Sequence, residues 1–97
     1  MIQKELEKAG FERSYDDTCT PEGVWEYYQE FSEPDEGGNF EYEMINYCQD
    51  IDNPEAWLFD ASVRRDITKP ANSILLVNPD LDTCRIAMKI LGFTKEL

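Results

Sequence analysis

The sequence predicts a two-layer α+β domain: an antiparallel meander of three to five strands, with an N-terminal and a C-terminal helix packed on one face. Three observations carry this. Runs of alternating apolar and polar residues recur between clusters of turn-forming residues. A short amphipathic segment opens the chain and a longer, well-capped one closes it. A length of 97 residues suffices for one modest core, so residues 1–97 read as a single domain.

Residues 2–9 read as a helix because Ile2, Leu6 and Ala9 share one stripe. Gly10 suits the left-handed position that ends a helix, and Phe11 can fold back onto its last turn. Residues 11–15 form a short first strand. Asp16, Asp17, Thr18, Thr20, Pro21 and Gly23 mark a loop. In residues 24–32, Trp25, Tyr27 and Phe31 fall on one face and Glu26, Tyr28 and Glu30 on the other. Ser-Glu-Pro-Asp-Glu-Gly-Gly-Asn then turns the chain. The returning strand, residues 40–48, is expected mid-sheet. Its alternation places Phe40, Tyr42 and Met44 inside and Glu41, Glu43 and Ile45 outside.

Residues 50–54 form the next turn. Residues 56–64 admit a helix, with Asn53 as N-cap and Pro54 in the first helical position. Sustained alternation favours a strand, with Trp57, Phe59, Ala61 and Val63 inside and Leu58, Asp60, Ser62 and Arg64 outside. Residues 65–72 are a polar loop containing Pro70, and 73–77 a short apolar strand. Asn78 is the expected cap of the last helix, with Pro79 first in it and Asp80 and Asp82 at the positive end of its dipole. Leu81, Cys84, Met88 and Leu91 form its apolar stripe; Gly92 ends it and Phe93 follows.

The net charge is −12, from 21 acidic and 9 basic residues. That argues against direct nucleic-acid binding, which uses Lys and Arg to displace counterions, and against anionic membrane surfaces. A basic partner would be attracted over a distance. No apolar run approaches the roughly 18–20 residues of a membrane helix, and the charged N-terminus is unlike a signal peptide. A cytoplasmic location is expected. Cys19, Cys48 and Cys84 read as reduced thiols, with Cys84 in the core.

Little in the sequence points to catalysis. There is no His to act as a base, and no elbow or phosphate-cradling glycine loop. With no His and no Cys-x-x-Cys pair, neither a Cys/His zinc site nor a cofactor is expected. Asp50-Ile-Asp-Asn-Pro-Glu has oxygen ligands at alternate positions, as a calcium loop does, but lacks that loop's length and central glycine. It reads as an acidic turn.

The constellation of interest is spread across the sheet. With the parity above, Glu26, Glu30, Glu41, Glu43 and Asp60 project from one outer face, with Tyr28, Tyr47 and Leu58 interleaved. Carboxylates two residues apart on a strand are about 6.7 Å apart, on the order of the phosphate spacing along a nucleic-acid strand. Asp16, Asp17, Glu33, Asp35 and Glu36 add charge in the loops.

The layout of short helix ending Gly-Phe, aromatic-acidic meander and Asn-Pro-Asp helix resembles the small proteins encoded by bacteriophages and mobile elements. Such genes often encode inhibitors of host proteins, among them acidic anti-restriction and anti-CRISPR proteins that imitate DNA. The resemblance implies an inhibitor; it maps no functional residue onto this chain. The expectation is a non-enzymatic protein whose acidic face occupies a basic, nucleic-acid-binding surface of another protein. Glu26, Glu30, Glu41, Glu43 and Asp60 would supply charge and Tyr28 an anchor. The alternative is a structural or assembly module, homodimeric through a strand edge or a helix, whose acidic face is only solvated.

Overall fold

A computed structural model describes residues 2–15 and 20–97. Asp16, Asp17, Thr18 and Cys19 lie outside the described residues. The chain is α+β, in the order α1 (Gln3–Lys8), β1 (Glu12–Ser14), β2 (Val24–Glu30), β3 (Tyr42–Gln49), β4 (Trp57–Arg64), β5 (Asn72–Val77) and α2 (Leu81–Leu91). The strands form one antiparallel sheet in sequence order, with β3 at its centre. Of residues 56–64, open to two readings in the sequence, Trp57–Arg64 are a strand.

Both helices contribute to the core on one face of the sheet: Ile2 and Leu6 beside α1's start and centre, Cys84 and Met88 from α2. The sheet contributes Trp25, Ile45, Tyr47, Trp57, Phe59 and Ala61. Tyr47 is the hub, stacked on Trp57 at 5.2 Å and edge-on to Trp25 at 6.3 Å. Gly10 and Gly92 both take positive φ and end their helices, as their position implies. Phe11 N–H then bonds to Leu6 O, and Phe93 N–H to Met88 O.

The parity of β3 is the reverse of the one expected. Ile45 and Tyr47 point into the core together with Glu43, while Tyr42, Met44, Asn46 and Cys48 lie half-buried on the outer face. A one-residue change of register flips every side chain of a strand. Here Ile45 and Tyr47 are opposite Ala61 and Phe59, so the apolar set of β4 selects this phase. The consequence is a carboxylate in the core, which costs heavily unless it is paired and hydrogen-bonded.

The cap of α2 also differs. Asp80, not Asn78, accepts from Thr83 N–H, at 2.7 Å. Hydrogen bonding from the Thr83 side chain, and then from its N–H, holds the Asp80 carboxyl below its ordinary pKa. Asn78 sits at φ 51 and turns back to β4: its N–H donates to Trp57 O and its Oδ1 accepts from Trp57 N–H, both at 2.7 Å. Asp80→Ala should therefore lower the thermal midpoint by several degrees. An unchanged midpoint in a calorimetric scan would mean that Asp80 does not cap the helix.

Candidate interaction surface

The two helices cover one face of the sheet, and the described residues leave the other uncovered. Its side chains follow from the register. One row across the strands reads Glu12, Glu26, Asn46, Asp60, Leu75. A second reads Tyr28, Met44, Ser62, Ser73, and a third Glu30, Tyr42, Arg64.

Four of the residues read from the sequence are on this face. Glu26, Tyr28, Glu30 and Asp60 are all exposed. Tyr28 donates to Glu30 Oε1 at 2.8 Å, and its ring stacks on Tyr42 at 6.3 Å. Phe40 lies against Tyr42 at 5.5 Å, so three aromatic rings make one corner of the face.

Glu43 is not part of it. Its side chain is 0 % exposed on the inner face. Glu41 leaves with it: Phe31 N–H bonds to Glu41 O, which extends the β2–β3 register by one pair and puts Glu41 on the side of Glu43. Tyr47 is likewise core. The spacing of about 6.7 Å expected from Glu41 and Glu43 is lost. Strands lie about 4.8 Å apart, so Glu12 and Glu26 are near neighbours and Asp60 is about twice that distance from Glu26.

Glu12 and Tyr42 belong to the face and were missed. Glu12 was legible, since it alternates with Phe11 and precedes an antiparallel neighbour. Tyr42 was hidden by the parity of β3. Glu12 stands directly opposite Glu26, a juxtaposition that costs about 0.2–1 kcal/mol on a sheet. Among the described residues, no Lys or Arg is within ion-pair distance of Glu12, Glu26, Glu30 or Asp60. Arg64, the cation on this face, donates to Ile67 O and Lys69 O instead.

Burial, with Asp80 nearby, pushes the Cys84 thiol up to about 12. Among the described residues no three Cys, Asp or Glu side chains converge as metal ligands would. In the acidic turn, Asp50 and Asn53 accept from the N–H groups of Asp52 and Glu55. No described helix is long and apolar enough to cross a membrane.

No family model matches the sequence, and neither the curated proteins nor the solved structures include a match.

Proposed function

We propose that the chain is a non-enzymatic binding protein whose helix-free sheet face occupies a basic surface on another protein. The carrying observation is the set of outward carboxylates, Glu12, Glu26, Glu30 and Asp60, left without cations and with two of them directly opposed. A sheet that tolerates this repulsion when alone gains by neutralising it on binding. The Tyr28–Tyr42 corner supplies the rigid aromatic contact that such interfaces use as anchors. In its most specific form the partner is a nucleic-acid-binding protein, which the chain inhibits by filling the site of the phosphates. Cytoplasmic action accords with the reduced, buried Cys84.

The test is retention from a bacterial lysate on the immobilised chain, with Glu26→Lys/Asp60→Lys in parallel. The wild type should hold a basic protein at low salt and release it as salt is raised. The double variant should retain less than about a tenth as much, with a nearly unchanged thermal midpoint because both positions are exposed. Equal retention by both chains would refute the reading.

A further inference from the structure

In a chain of net charge −12, β5 (Asn72–Val77) contains no Asp, Glu, Lys or Arg. Sheet edges are ordinarily blunted by a charge, a proline or a bulge. This one pairs with β4 in unbroken register over its whole length and is the last strand of the sheet.

The phase of its hydrogen bonds follows from Asn78, whose N–H donates to Trp57 O. Bonded and non-bonded pairs alternate in an antiparallel ladder, so Asn72, Ile74 and Leu76 bond to β4. The N–H and C=O groups of Ser73, Leu75 and Val77 therefore point outward from the sheet.

Above this edge lies one flank of α2. The helix packs on β4 and β5 and runs back along β5, bringing Leu91 near Asn72. Arg85 turns the other way and donates to Leu97 O, in the cleft it shares with α1. At about 100° per residue the flank away from Arg85 carries Thr83 and Ile90, with Ile86 beside them toward solvent; Ile86 and Ile90 are 59 % and 72 % exposed.

We propose that β5 pairs antiparallel with β5 of a second copy, about a two-fold axis at Leu75. That register sets Leu75 opposite itself and Ser73 opposite Val77. Each pair then exchanges both its N–H···O bonds, and all the outward groups of the three residues are satisfied. The contact is isologous and closes on itself as a dimer. The uncharged strand is where a second copy of this acidic chain can approach, since no carboxylate of β5 meets its own counterpart there. The helices fit as well. With strands about 4.8 Å apart and α2 centred between β4 and β5, the two α2 axes come about 9.6 Å apart, within the 8–10 Å at which helices pack. The flank of each α2 that carries Ile90 then lies against the other helix.

The test is light scattering and amide hydrogen exchange on the full chain, from low to high micromolar concentration. The mass should double with concentration, and the Leu75 and Val77 amides should become protected in step. Rising salt should strengthen the dimer by screening like net charges, the opposite of its effect on a basic partner. Leu75→Pro removes an outward N–H and no β4 bond, and should weaken association more than about tenfold. Ile90→Glu, on an exposed helix position, should do the same if the proline variant folds poorly. A chain that stays monomeric with fast exchange at Leu75, or a dimer that neither variant weakens, would overturn the proposal and leave this edge to a strand from another protein.

Discussion

Glu43→Ala is expected to destabilise the protein by about 3–5 kcal/mol, a large part of a total of about 5–15 kcal/mol. The carboxylate accepts from every side. Tyr27 Oη and Thr94 Oγ1 donate to Oε1 at 2.6 Å, with Lys95 N–H at 3.2 Å. Arg65 Nη2 and Thr94 N–H donate to Oε2, at 3.0 and 2.9 Å. Removing the acceptor strands all of these donors together. It also leaves Arg65, held over the Phe31 ring at 4.0 Å, with only its weaker bond to Gly92 O. Glu43→Gln keeps the shape but turns an N–H₂ toward groups that are themselves donors, and should cost about 1.5–3 kcal/mol. Urea unfolding of both variants measures this.

The same site predicts a pH dependence. Burial works to raise the Glu43 pKa, but the hydrogen bonds from Thr94, Tyr27 and Lys95 outweigh it and hold the group below the ordinary carboxylate value. A lowered folded pKa means that the carboxylate stabilises the fold fully above about pH 4.5, and that this is lost as pH falls through the folded pKa. At the other end, burial and the bond to Glu43 push Tyr27 up to about 12. Its contribution is present below pH 10 and is lost as pH rises toward 12. The stability gap between wild type and Glu43→Gln should therefore narrow in acid. A gap that stays constant from neutral pH down to pH 3 would refute the assignment of Glu43 as a buried carboxylate.

Ile45→Ala and Met44→Ala form the second decisive pair. Ile45 is fully buried at the centre of β3, opposite Ala61 and Tyr27, and its truncation should cost about 2–5 kcal/mol. Met44 is half-buried on the helix-free face, and its loss should cost about 1 kcal/mol. The alternation starting at Phe40 predicts the reverse order. Chemical unfolding of the two variants under one set of conditions discriminates them, and a larger loss in Met44→Ala would restore the other parity.

The sequence made β4 legible because each of its inner residues is apolar and Asp60 and Arg64 mark the other face. The same clarity in β2 placed Glu26, Tyr28 and Glu30 correctly. β3 offered two competing stripes, Phe40–Tyr42–Met44 and Ile45–Tyr47, and the second carries Glu43 with it. Local pattern argues against burying a charge, and what makes burial tolerable is far away: Thr94 and Lys95 lie 51 and 52 residues along the chain. Nothing in Thr-Lys-Glu-Leu announces a partner for a buried acid. The cap of α2 failed for a related reason. Asn78 and Asp80 are both good caps, and only the position of Trp57 N–H decides which is used elsewhere. The candidate face was thus readable wherever a strand's parity was unambiguous, and misread at the one strand where a distant tail decides it.

The knot of bonds at Glu43 has a consequence for the order in which the molecule assembles. Every strand pairs with its neighbour in sequence, so the meander can zip up by closing short loops in succession. The residues after α2 cannot join until β3 is in place and α2 has docked, because their anchor is a side chain in the middle of the sheet. Tail docking is then a late event in folding and an early one in unfolding. In acid, protonation of Glu43 loosens the last turn of the chain before the sheet itself gives way, and the first apolar surface uncovered lies beneath residues 93–97.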